Sequence, residues 1–164
     1  IGPDETAGEL HDRLATLGAA TLVTTLRGLE AGTLTARAQP EDGITHAPML
    51  ERAEGSVDFD RTATQVHDRI RGLNPWPATT VLCEGRRLKI SDSRPAEGSG
   101  SPGEILSADD GLVVACAEGA VRIGTVQGEG GRPVPASDFA RGHQLATGLY
   151  LRPLEGFAAR EPRW

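Results

Sequence analysis

Apolar positions follow three regimes along this chain. Leu10, Leu14 and Leu17 recur at steps of four and three, and the series resumes after Gly18 with Leu22, Val23, Leu26 and Leu29 before Gly32. That period predicts an amphipathic helical stretch, with Gly18 separating two helices or kinking one. Thr6 followed by Glu9 marks its start. A hydroxyl and a carboxylate at that spacing satisfy free amides of a first turn. Nothing else in the first 60 residues offers an apolar face to cover this stripe, so its partner is expected outside the chain.

Residues 35–57 contain Pro40, Gly43, Pro48 and Gly55 and hold neither a helical nor a strand period, which reads as an ordered linker. From Asp58 the helical period returns through Phe59, Ala63, Val66, Ile70 and Leu73, with Asp60 as the expected cap. This helix runs into Asn74-Pro75-Trp76-Pro77. Gly72 suits a left-handed helix end, and two prolines fix the backbone on either side of a large ring. Trp76 is expected to plug a small core at this corner.

Beyond Pro77 the period becomes two. Residues 79–83 and 87–91 flank a hairpin turn at Glu84, Gly85 and Arg86, and residues 92–102 read as a Ser-, Gly- and Pro-rich loop without core-forming residues. Residues 103–106, 112–116 and 120–127 complete five short strands, which predicts a small barrel or sandwich. Residues 136–142 suggest a last helical turn capped near Ser137 or Asp138, and residues 149–151 a final edge strand. The class is α+β: a helical N-terminal segment, then a small β-barrel preceded by a helix.

Charge sharpens this division. The 164 residues carry a net −6. Residues 1–60 hold four arginines against eleven acids, whereas residues 61–164 hold twelve arginines and Lys89 against twelve acids. Only the second part has the material for a basic face, the feature that attracts a phosphate backbone. No apolar run approaches the roughly 18 residues that span a bilayer, and no basic-then-apolar leader is present, so a cytoplasmic protein without membrane contact is expected. The chain begins at Ile1, which reads as the tail of a longer chain in preference to a processed product.

Candidate chemistry is sparse. Cys83 and Cys116 lack CxxC spacing and read as small core thiols in a reducing compartment. His11, His46, His67 and His143 are dispersed, with no metal-ligand spacing, and read as surface residues. No serine lies in a nucleophile-elbow pattern. Asp58 and Asp60 read as a helix cap and its neighbour, and the glycine-rich 124–131 stretch lacks the Lys-Ser/Thr ending that grips phosphate. No catalytic, cofactor-binding or metal residue is assigned. The residues alone describe a binding module.

Several segments, in order and spacing, carry a resemblance. They are Asp4 to Ala15 with Leu17-Gly18; Gln39 followed by Gly43-Ile44-Thr45-His46-Ala47; Val57-Asp58-Phe59; Ile70-Arg71-Gly72-Leu73-Asn74-Pro75-Trp76-Pro77-Ala78; Leu88-Lys89-Ile90; Pro102-Gly103; and Val126-Gln127. Together they resemble the C-terminal portion of the methionyl-tRNA formyltransferase family along nearly the whole chain. The resemblance implies three parts: residues 1–38 as the last helices of a Rossmann-like catalytic domain, 39–57 as a linker, and 58–164 as an OB-like tRNA-binding domain. It also places the family's catalytic residues and its site for 10-formyltetrahydrofolate upstream of Ile1, so this chain alone is expected to be inactive.

The implied reaction of the intact protein is formyl transfer from 10-formyltetrahydrofolate to the amino group of methionyl initiator tRNA. The implied partners are that tRNA and the missing N-terminal catalytic domain. Affinity for tRNA is expected from cations facing phosphates, with Arg52, Arg69, Arg71, Arg86, Arg87, Lys89, Arg132 and Arg141 as candidates. Two departures from the family pattern stand out. After Ala47 the family commonly places lysines, whereas this chain reads Pro48-Met49-Leu50-Glu51-Arg52, and Phe59 stands where Trp is common. The alternative is the C-terminal structural module of a related formyltransferase that acts on a sugar nucleotide or folate. An independent small enzyme is a third reading, disfavoured because no catalytic constellation emerges.

Overall fold

A computed structural model describes residues 1–154, so the last ten residues of the domain expected over 58–164 lie outside it. The first helix, α1 (Ala7–Glu30), starts on the expected capping box: Thr6 Oγ1 accepts from Glu9 N–H, and the Glu9 carboxylate accepts from Thr6 N–H. It runs unbroken through Gly18, because a glycine costs an exposed helix only about 1 kcal/mol. None of its residues is buried, and Leu14, Leu17, Leu22, Val23, Leu26 and Leu29 stand about half exposed. The stripe is real and uncovered.

A 3-10 turn at Arg52–Gly55 falls within the stretch expected as a linker, and Ser56 and Val57 already enter the interior. Helix α2 (Ala63–Gly72) begins later than Asp60. Thr62 and Gln65 form a reciprocal capping box, while Asp58 accepts from Asp60 N–H in a tight turn of its own. Phe59 therefore precedes the helix and anchors the core directly. Gly72 is the last helical residue, and the cap falls to Leu73, whose N–H returns to Arg69 O.

The prolyl corner holds, but its ring faces outward: Trp76 is 52% exposed. Ile70 and Leu73 take the buried positions before the corner, and Ala78 N–H closes it onto Leu73 O. The bonds before Pro75 and Pro77 are both cis.

Five strands then build the sheet: β1 (Thr79–Cys83), β2 (Arg86–Ala96), β3 (Ile105–Ser107), β4 (Leu112–Ala115) and β5 (Ala120–Gly128). Two short ones follow, β6 (Val134–Pro135) and β7 (Leu151–Arg152), with α3 (Ala136–His143) between them. The order is β3-β4-β5-β2-β1-β7, antiparallel throughout, with β6 beside β5. β2 is longer than its apolar pattern suggests. Its second half pairs from Ser93 to Ala96 with Ile123 to Ala120 and buries Ser93, which a period-two apolar reading passes over.

The two ends of this path meet. Leu151 N–H donates to Gly103 O and Ile105 N–H to Leu149 O, both at 2.8 Å, so the sheet curls into a barrel-like form. Gly103 is required there: its φ is +87°, and a Cβ would lie 2.3 Å from Leu151 O. The core inside joins Val57, Phe59, Val66 and Ile70 to Val81, Leu88, Ile90, Leu112, Ile123 and Leu151. α3 lacks a side-chain cap at either predicted residue, its N-cap being Pro135.

Candidate nucleic-acid interface

The eight predicted cations divide by what their side chains touch. Arg69 turns inward, Nε donating to Ser56 O at 2.9 Å and an Nη to Glu54 O at 2.6 Å, and so ties the 3-10 turn to α2. Burial lowers its pKa from the ordinary guanidinium value and Arg61 adds to that, with Glu54 opposing. Arg71 is also engaged: it pairs with Asp68 and donates to Gly2 O and Glu5 O, which fastens the start of the chain to α2. Arg141 pairs with Asp138 one turn earlier on α3. Arg52 is exposed on the 3-10 turn.

Arg86, Arg87, Lys89 and Arg132 form a different group. All four are exposed, and none has a carboxylate partner among the described residues. Strand register brings them together. The β1–β2 hairpin delivers Arg86 and Arg87 at the start of β2, where Leu88 pairs with Gly128 and Lys89 with Gln127, and Arg132 sits in the turn that follows β5. Alternation along β2 sends Leu88 and Ile90 into the core and leaves Arg87 and Lys89 on the outer face.

Beside them lies a groove of about 410 Å³. Arg86, Arg87 and Arg132 line it, with apolar surface from the half-buried Val134 and Phe139, and with His143. Glu129 is the carboxylate on its wall. Gly128 lets the Phe139 ring lie close over β5, since a Cβ there would stand 3.3 Å from the ring edge. Phe139 and His143 stack at 4.1 Å between centroids, tilted by 35°. An Nη of Arg86 reaches His143 Nδ1 at 3.3 Å. A guanidinium only donates, so this nitrogen accepts and the imidazole proton sits on Nε2. Three guanidinia around an apolar floor suit an anion carrying a flat apolar body.

His67 contradicts the expectation of a surface histidine. It is 3% exposed, with Nδ1 at 2.9 Å from Ser93 Oγ and Nε2 at 3.1 Å from Pro3 O and 3.2 Å from Asp4 Oδ1. Both oxygens facing Nε2 are acceptors, so Nε2 donates, and in the neutral ring Nδ1 accepts the Ser93 hydroxyl proton. The trio has the residue types of a nucleophilic triad, but Ser93 is 2% exposed and does not line the groove. It is a structural tie between chain start, α2 and β2. Sequence spacing gave no signal for it, because the partners lie 26 and 63 positions from His67.

Cys83 and Cys116 are buried free thiols, and burial raises both, Cys116 to about 11. Among the described residues no group of three or more His, Cys, Asp or Glu is placed to hold a metal ion. No described helix is long and apolar enough to cross a membrane.

Comparison with known proteins decides the family. The sequence pattern of the formyl transferase C-terminal domain matches residues 49–144, from just before the 3-10 turn to the end of α3. The chain belongs to this family. All eight cations fall within the matched stretch of the formyl transferase C-terminal domain. The chain is 44% identical over 149 residues to methionyl-tRNA formyltransferase of Brucella ovis, and 45% identical over 150 residues to that of Brucella anthropi. These alignments cover 88% and 89% of the chain but 48% of each relative, so the chain spans about half their length. It corresponds to a C-terminal portion of them.

Among solved structures, HypX from Aquifex aeolicus in complex with tetrahydrofolic acid has a TM-score of 0.60 at 19% identity, over 77% of this chain and 23% of that one. A substituted HypX variant reaches 0.66 at 18% identity, over 85% and 26%. At that identity the likeness concerns the fold alone.

Proposed function

We propose that this chain is the C-terminal part of a methionyl-tRNA formyltransferase and that it positions initiator tRNA for an upstream catalytic half. The intact protein then transfers a formyl group from 10-formyltetrahydrofolate to the amino group of methionine on that tRNA, in the cytoplasm, at translation initiation. The barrel-like sheet is read as an OB-like tRNA-binding domain. Residues 1–38 are read as the closing helices of the catalytic domain. Their uncovered Leu and Val stripe on α1 supports this, since about 36 Å of half-exposed apolar helix requires a partner body.

The observation that carries the tRNA reading is the set Arg86, Arg87, Lys89 and Arg132 around the start of β2 and the turn after β5, which has no carboxylate partner among the described residues. Cations left unneutralised by their own fold attract phosphates. Arg69, Arg71 and Arg141 contribute less, their donors being largely committed within the domain.

The test uses the intact protein. Lys89→Ala weakens initiator-tRNA binding and leaves folate binding unchanged; equal tRNA affinity removes Lys89 from the interface. The fold shared with HypX favours a second reading, a structural module in a formyltransferase with another acceptor such as a sugar nucleotide or folate. Under that reading the four cations are dispensable.

A further inference from the structure

We propose that the groove between the start of β2 and α3 is a subsite for one unpaired RNA nucleotide, which rests on the tRNA reading above. Arg86, Arg87 and Arg132 hold its phosphate, and its base lies against the outer face of the His143 imidazole.

The shape argues for a nucleotide in preference to a duplex. A paired A-form helix presents a broad convex backbone that meets a flat or rim surface, whereas about 410 Å³ of concave space matches a single small ligand. The lining argues for a base in addition to a phosphate. A site for phosphate alone has no use for an apolar floor of Val134 and Phe139. The aromatic pair supplies the platform: Phe139 is pinned over Gly128, it backs His143 at 4.1 Å, and His143 itself remains exposed. Unpaired bases stack on such platforms with little sequence preference.

The donors are also set. Arg86 occupies Nδ1 of His143, which leaves Nε2–H as a fixed donor beside the stacking face. Glu129 on the wall opposes the anion, one carboxylate against three guanidinia. Lys89 does not line the groove and stays available for duplex phosphates, so one RNA can use both.

The experiment follows backbone amide signals of the full chain by NMR during titration with adenosine 5′-monophosphate, ribose 5-phosphate and inorganic phosphate. The nucleotide should shift Leu88, Phe139 and His143 and bind at least about tenfold tighter than ribose 5-phosphate, the gain expected from one stacked base. His143→Ala should erase that difference, and His143→Phe should keep it. Equal affinity for nucleotide and ribose 5-phosphate, or a His143→Ala chain that retains the difference, overturns the subsite. A parallel titration of the intact protein with initiator tRNA separates the two ideas. Retained tRNA binding with no nucleotide preference removes the subsite alone, and loss of both removes the tRNA reading as well.

Discussion

Replacing His67 probes how the start of the chain is fixed to the barrel. The imidazole is almost fully buried and satisfies Ser93 on one side and Pro3 and Asp4 on the other. His67→Ala removes these bonds, leaves the Ser93 hydroxyl unpaired in the interior, and opens a cavity. An orphaned buried hydroxyl costs about 1–3 kcal/mol, and the cavity adds about 2 kcal/mol, so a loss of about 3–5 kcal/mol is expected. Ser93→Ala alone orphans His67 Nδ1 and costs about 1–3 kcal/mol. The double variant contains neither orphan, so its loss should fall about 1–2 kcal/mol short of the sum. Urea unfolding of the four proteins measures each term. Additivity within about 0.5 kcal/mol would refute the coupling and with it the tie.

Glu5 accepts from Arg13 and from Gly2 N–H, and these bonds hold its pKa down at about 2, below the ordinary 4.5. Because the folded-state value is depressed, its stabilisation is present above about pH 4.5 and fades as pH falls toward 2. Amide exchange at the start of α1 should therefore quicken over that window, and a Glu5→Gln chain that titrates like the wild type would contradict the assignment. Cys83 and Cys116, buried and with raised pKa, should resist iodoacetamide in the folded chain and react once urea unfolds it; rapid labelling of the native protein by mass spectrometry would show the burial wrong.

What the sequence revealed was mostly local. The Thr6–Glu9 box, the α1 stripe and the β1–β2 hairpin each depend on residues a few positions apart, and each stands where its pattern placed it. The cap of α2 was misplaced because two signals overlapped, and the reciprocal bonds of Thr62 and Gln65 outweigh the carboxylates before them. Trp76 and His67 went astray for a longer-range reason. Whether a corner ring points in depends on which side chains fill the interior, here Ile70 and Leu73, and whether a histidine is buried depends on Pro3, Asp4 and Ser93 arriving from elsewhere.

The eight cations look alike in one dimension. Only the register of β2 against β5 and the return of α3 separate Arg86, Arg87, Lys89 and Arg132 from Arg69 and Arg71, which are bound inward. His143 and Phe139 carried no signal either. Their spacing of four on a short helix marks adjacency but not the arginines across the groove.

The claim that this barrel positions tRNA through four unneutralised cations is tested most directly by the salt dependence of initiator-tRNA binding to the intact protein. Each phosphate contact contributes about 0.7–0.9 to the slope of log affinity against log salt. Replacing Arg86, Arg87, Lys89 and Arg132 together by Ala should reduce that slope by about 3 and weaken binding most at low salt. An unchanged slope in the quadruple variant, with the fold intact, would contradict the account.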